Sequence, residues 1–367
     1  MKIAVVGGGV AGMCAAWRAQ TQGAEVVLLE ASSRLGGQIL TEHVSGCVLE
    51  HGAEGFVANS EALNQVCRRF DLASDVISQT TTRALLAEGG VLRELPPGEA
   101  GRRLGIQART VDWGRGLQSL RHGMGSLVEA MAAAIGHEQI RLSTPVEAVE
   151  PAEDGPSRGW RIHLDSAPSI EADGVIVALP GAAAGVVLRE VDPRAAGRLR
   201  RLETVSSLSV TLVVARDSVR HPLDATGLVV GDTAAPEGLR ACSFASSKFA
   251  GRAPSNRHVL RAFYRPPADG VEDQEWWIQR TQHFLERAIG LTGDAELARV
   301  VSWSAAIPRY ASDHEAILAA VLESLQRRGR IALAGASVAR SGLAGAVRSG
   351  YAAAEDVLRS KSSVTAR

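Results

Sequence analysis

The chain has 367 residues, 40 of them basic and 40 acidic, so its formal net charge is zero; 46% are apolar and 22% charged. That composition is globular, with core enough for about two or three domains, and it excludes a disordered chain. A neutral chain has no net field to draw in phosphates, which argues against a nucleic-acid binder.

Lys2, Lys248 and Lys361 are the only lysines, so nearly all the basic residues are arginines, a compositional bias from which no function follows. Cys14, Cys47, Cys67 and Cys242 form no CxxC and have no histidine at metal spacing. They point to a reducing compartment and to no metal site. The longest apolar run, Gly174 to Leu188, is broken by Pro180 and is shorter than the ~20 residues a spanning helix needs. The sequence opens directly on strand-like Lys2–Val6, without a basic segment leading into a cleavage site. A soluble cytoplasmic protein is expected.

In chain order, residues 2–6 are a β-branched run suited to a buried parallel strand. Gly7 to Gly9 make a turn, Val10 to Gln22 a helix stopped by Gly23, and Glu25 to Glu30 a second strand. The unit is the size of a nucleotide-binding half. Residues 56–122 hold short helices, a strand near 83–88 and the turn Leu95-Pro-Pro-Gly98. A helix is expected over Ser126–Ile135, and strands over Ile140–Leu142, Val146–Glu150, Gly159–Leu164, Ser169–Glu171 and Gly174–Leu179. Residues 206–298 carry strands at Ser207–Ala215, Gly227–Gly231, Arg240–Ala245 and His258–Tyr264, then a helix from Asp273 to Gly290. A strand at Arg330–Ala334 and a helix from Ala344 to Ser360 follow, and 361–367 form a polar tail. The fold class is α/β: a Rossmann-like dinucleotide domain (1–55, 123–205 and 299–367) with an inserted antiparallel-sheet substrate domain (56–122 and 206–298).

Gly7-Gly8-Gly9-Val10-Ala11-Gly12 is a GxGxxG directly after a strand and opening a helix. Gly7 permits the turn, Gly9 lets the backbone approach a pyrophosphate, and Gly12 lets helix and strand close together. The anion then rests on the free N–H groups of Val10 and Ala11 at the positive helix end. Glu30 ends the second strand, where a carboxylate takes the ribose hydroxyls.

After Glu30 comes Ala31-Ser-Ser-Arg34-Leu-Gly36-Gly37-Gln38. With it the sequence resembles the flavin amine oxidase superfamily, which carries RxGG after its ribose-binding acid. The resemblance implies FAD, with Ala31, Arg34, Gly36, Gly37 and Gln38 along its diphosphate and ring edge. Gln38 stands where that family often has a cation. Glu50-His51-Gly52-Ala53-Glu54-Gly55-Phe56 is similar to a flavin-contacting segment, implying Gly52 and Ala53 at the flavin. Val146 matches the adenine-side strand, and Val175–Pro180 the family's VIVATP strand end.

Three further segments resemble the oxygen-dependent protoporphyrinogen/coproporphyrinogen oxidase (HemY-type) family: Gly123–Met131, Phe244–Pro254, and Trp303–Tyr310 with His314. Leu333-Ala-Gly335-Ala336 and Ala339–Gly350 are similar to its C-terminal flavin motif, implying Gly335, Ala336, Gly342 and Leu343 at the cofactor and Trp303 beside it. Ala336 and Gly345 stand where Asn or Asp is common.

That family passes a hydride from a porphyrinogen bridge to flavin N5, with O2 as the electron acceptor. The chemistry needs no nucleophile, and no Ser-His-Asp set, paired carboxylates or lysine near the flavin motifs stands out. Arg93 matches a propionate anchor and Phe244 an aromatic position at the substrate ring. A surface arginine and a core phenylalanine are the plain alternatives. His51, His122 and His314 read as structural or surface groups.

Only 25 residues, Gly98 to His122, occupy the place of the family's helical, membrane-docking region. A bundle of helices does not fit in that length. Trp113, Leu117 and Leu120 leave at most a short amphipathic patch, and the pocket is expected open or covered by a second subunit in a homodimer. Porphyrinogen oxidation is the leading reading. A diverged flavin oxidase or desaturase acting on another small molecule, and a non-catalytic FAD-binding scaffold, stand behind it.

Overall fold

The computed structural model describes residues 1–105, 116–152, 159–231, 238–266, 273–339 and 342–360; Trp113 and the tail 361–367 lie outside these. The chain divides into two compact units, residues 1–38, 127–204 and 308–367 forming the first and 39–126 and 205–307 the second. Residues 39–55, 123–126 and 299–307 therefore fall with the second unit rather than the dinucleotide domain. The reason is pairing. Thr41–Val44 and Cys47–Glu50 form a hairpin there, and Leu297–Pro308 is an edge strand of that unit's main sheet.

The first unit is built on β1 (Lys2–Val6), α1 (Val10–Thr21) and β2 (Glu25–Leu29). Its five-stranded sheet runs Ile140–Arg141, β2, β1, Gly174–Val177, Ile331–Leu333, every pair parallel. Ile3, Ala4 and Val5 are fully buried, as a parallel strand covered on both faces requires. A three-stranded antiparallel sheet, Val146–Pro151, Trp160–Leu164 and Ala167–Ala172, is inserted between the strands at 140–141 and 174–177. It closes a core that includes Trp160, Val175, Leu199 and Val321. Strand order reverses between β1 and Gly174–Val177, and sheets of this kind bind ligands beyond the carboxyl ends of their strands at that reversal.

The second unit centres on a seven-stranded sheet: Leu297–Pro308, Thr204–Ala215, Arg257–Tyr264, Leu239–Phe244, Gly227–Val230, Leu85–Glu88 and Val91–Glu94. It is mixed rather than purely antiparallel, because the 85–94 hairpin joins through a parallel pairing of Leu85–Glu88 with Gly227–Val230. Helix Gln274–Ile289 covers one face with Trp277, Phe284 and Leu285. Tyr264 and Thr281 hydrogen-bond across that contact at 2.8 Å.

Candidate functional site

Two glycine turns interlock at the carboxyl end of β1. Gly7 (φ +106°) turns the chain where a Cβ would lie 2.6 Å from the Ala178 carbonyl oxygen. Gly9 caps α1 in extended conformation, with no side-chain cap and no acid in the first turn. The leading amides of that helix are thus left for a ligand rather than a side chain. Gly12 packs so closely that a Cβ there would fall 1.9 Å from the Gly7 carbonyl oxygen. The second turn folds back on the first: the Gly36 N–H donates to Gly8 O at 2.9 Å, and Gly37 (φ +56°) packs against the Gly9 backbone. A helix start with no acid in its own first turn, walled by bare backbone, suits a dinucleotide diphosphate.

Glu30 sits beside this cradle. One carboxylate oxygen accepts the Gly8 N–H at 2.6 Å, the other the Ser32 N–H and hydroxyl, each at 2.8 Å. Arg34 donates to the carbonyls of Leu35 (3.0 Å) and Gly37 (2.7 Å), so it braces the turn itself. Burial lowers its pKa, an effect the Glu30 charge partly offsets. Thr144 N–H donates to Glu30 O, bringing the segment before Val146 to the same edge. Ala31 and Gln38 lie on the loop around it, both exposed.

The C-terminal motif reaches the same unit. Gly335 (φ +108°) follows the last parallel strand, and its N–H donates to Ser349 Oγ at 3.0 Å. Tyr310 OH donates to the carbonyls of Ala336 and Ala339. Gly342 (φ +41°) and Leu343 open the helix Gly342–Arg359. That helix packs on α1 where Gly350 meets the Ala11 carbonyl.

In the second unit the structure joins Gly52, Ala53 and Trp303, which the sequence separates by some 250 positions. Trp303 Nε1 donates to His51 O at 2.8 Å. Beneath lies an ionic cluster that sequence reasoning missed: Glu50, Glu54, Lys248, Arg252 and Arg261. Lys248 pairs with Glu54, and Arg252 stands 3.8 Å from Glu50. Glu50, Glu54, Arg252, Arg261 and Thr211 help line a cavity of about 10 Å³. Burial pulls the Arg261 pKa down to about 10, against the charges of Glu54 and Glu50. Burial also raises the Glu50 carboxyl, despite the Met124 N–H and Arg252. For Glu54 burial pushes upward, but Lys248 and Arg261 outweigh it and leave the carboxyl below its ordinary range.

One lysine does therefore meet a flavin-like motif, through folding rather than sequence proximity. The signal was available: Arg261 interrupts a strand, Arg257–Tyr264, that is otherwise almost wholly buried. Arg93 and Phe244 are not brought together as a pocket. Arg93 projects from the edge hairpin, half-exposed and 3.7 Å from Glu88. Phe244 is fully buried in the sheet core, its ring 6.1 Å from that of His221. His51 is buried against Glu42 (2.7 Å) with its pKa lowered by burial, and His314 against Ser337 O (3.0 Å), both as structural groups; His122 is exposed.

A parallel dinucleotide sheet, a paired glycine cradle and a second mixed-sheet unit define a flavin-dependent oxidoreductase. The chain belongs to the flavin containing amine oxidoreductase family, whose profile matches residues 98–358, while an NAD(P)-binding Rossmann-like domain matches residues 5–70. It is similar to coproporphyrinogen III oxidase of Propionibacterium freudenreichii, at 22% identity over 488 aligned residues, 97% of this chain and 90% of that one. The alignment is longer than the present chain, so the relative carries stretches with no counterpart here. A coproporphyrinogen III oxidase of Bacillus subtilis is 24% identical over 66% of this chain and 51% of its own length. Among solved structures, one provisionally named protoporphyrinogen oxidase from Exiguobacterium sp. 255-15 superposes with a TM-score of 0.81 at 22% identity, covering 97% of this chain and 98% of that one. Among the described residues no helix is long and apolar enough to cross a membrane.

Proposed function

We propose that the protein is an FAD-dependent oxidase of a porphyrinogen, with dioxygen as the terminal acceptor. The interlocked turns at Gly7–Gly12 and Gly36–Gly37 carry the cofactor part of this reading. The α1 amides and Gly9 backbone hold the diphosphate, Glu30 the ribose, and Val146 the adenine side. Arg34 holds the Gly36–Gly37 turn in shape for the cofactor. Gly52, Ala53, Trp303 and the 335–343 segment are assigned to the flavin end. When bound, the flavin supplies the hydride-accepting atom.

The substrate assignment is supported by the names of the relatives and by the three porphyrinogen-oxidase-like segments. The chain's own task is then to orient a tetrapyrrole and keep water out, since the macrocycle's pyrrole nitrogens release the accompanying protons. Arg93 is proposed as a carboxylate anchor, its half-exposed guanidinium suited to a bidentate pair. The test is anaerobic mixing of FAD-loaded protein with coproporphyrinogen III and protoporphyrinogen IX. Bleaching of the flavin band is expected with at least one of them, and no bleaching with either rules the reading out.

A second reading keeps the flavin chemistry and changes the substrate. The short 98–122 segment and the buried Phe244 favour a smaller amine or a desaturation substrate. Flavin bleaching by such a compound but by neither porphyrinogen selects it.

A further inference from the structure

The ionic cluster of the second unit is unbalanced in charge. Among the described residues it sets two acids, Glu50 and Glu54, against three buried cations, Lys248, Arg252 and Arg261. One positive charge is left over, and a buried charge without a counter-charge is costly.

The hydrogen bonds carry the same surplus on the donor side. Glu50 accepts the Met124 N–H at 2.6 Å on one carboxylate oxygen and the Thr41 hydroxyl at 2.8 Å on the other. Glu54 likewise accepts from Lys248 and from the Ser243 hydroxyl. Arg261 directs Nη1 to Gly52 O at 2.7 Å and Nη2 to His51 O and Ser209 Oγ, while Arg252 directs Nη2 to Ser119 Oγ. Arg252 Nη1, Arg261 Nε and Thr211 Oγ1 have no partner among the described residues. Their residues are 2%, 4% and 1% exposed, and each of the three atoms can donate. What they lack is an acceptor.

These atoms belong to one place. Thr211 and Arg261 stand opposite each other on antiparallel strands, so their side chains share a face. With Arg252 they line the cavity of about 10 Å³, walled on its apolar side by Val48, Phe249 and Val259. A volume of that order suits a single small occupant. A neutral water would leave the surplus charge in place, whereas a monatomic anion accepts from all three donors and cancels it. Phosphate and sulfate are excluded by size and by the carboxylates of Glu50 and Glu54 on the same cavity.

We propose that this cavity binds one small monovalent anion, a halide, held by Arg252 Nη1, Arg261 Nε and the Thr211 hydroxyl. The site lies wholly within the second unit and stands independently of the flavin reading.

The test compares melting temperatures of the purified protein in sodium chloride and in sodium gluconate at matched ionic strength, followed by diffraction from crystals soaked in sodium bromide. Wild type should be stabilised by chloride in a saturable way, and bromide should give an anomalous peak between Arg252, Arg261 and Thr211. Thr211→Val, which removes one neutral donor, should need about tenfold more chloride for the same stabilisation. Arg252→Met, which leaves two cations against two acids, should lose the chloride effect. Equal melting temperatures of wild type in the two salts, or a bromide map with a water only in the cavity, overturn the proposal. If Arg252→Met yields no folded protein, Thr211→Val decides, and a chloride dependence identical to wild type there overturns it equally.

Discussion

At the scale of single residues, two carboxylates do different work. Glu30 is tied to the Gly8 amide and to Ser32, at the edge of the glycine cradle. Glu30→Ala is expected to weaken FAD binding roughly 10- to 100-fold, the worth of a charged hydrogen bond of about 1.5–3 kcal/mol, measured by flavin fluorescence on dilution. Glu54 instead balances buried cations. Lys248→Met leaves that carboxylate buried with one cation fewer and should cost roughly 3–5 kcal/mol in urea unfolding, while the double variant Lys248→Met/Glu54→Gln recovers much of it. The folded-state pKa of Glu54 lies below its unfolded value, so its contribution is present above the ordinary carboxylate range and fades as pH falls through the depressed value. The stability difference between wild type and Glu54→Gln should therefore shrink on acidification; a difference that grows contradicts the pairing.

At the scale of elements, the close approach of α1 and the helix Gly342–Arg359 depends on one missing side chain. A Cβ on Gly350 would lie 2.2 Å from the Ala11 carbonyl oxygen and 2.9 Å from Cys14 Cβ. Gly350→Val should separate these helices and lower the melting temperature by several degrees, with a loss of about 1–3 kcal/mol typical of overpacking. The elements also differ in how far the sequence announced them. β1, α1 and β2 were readable because a buried strand, glycine spacing and a terminal acid all point one way. The strand Leu297–Pro308 was not, since it runs along a sheet edge with neither face consistently buried and so lacks a period-two pattern. Helix His314–Gln326 carries only a narrow buried stripe, His314, Val321 and Leu325, and went unmarked. The ionic cluster was invisible for another reason. Arg261 and Glu54 are more than 200 positions apart, and the register of Arg257–Tyr264 beside Thr204–Ala215 sets Arg261 opposite Thr211.

At the scale of the whole molecule, the chain belongs to the flavin containing amine oxidoreductase family over residues 98–358. The coproporphyrinogen III oxidases it resembles at 22–24% identity include one whose alignment carries stretches with no counterpart here. Arg93, on an exposed hairpin, is the residue proposed above as the carboxylate anchor. Arg93→Ala should raise KM for a carboxylated porphyrinogen about tenfold with kcat little changed, because an anchor contributes equally to ground and transition states.

The most direct test of the central claim follows the full cycle in FAD-loaded protein. Coproporphyrinogen III is added without oxygen until the flavin band disappears, and air is then admitted. The account predicts return of the oxidised flavin together with porphyrin fluorescence and one hydrogen peroxide for each two-electron step of the macrocycle. Flavin that stays oxidised throughout the anaerobic phase, with porphyrin forming no faster than in buffer, would contradict it.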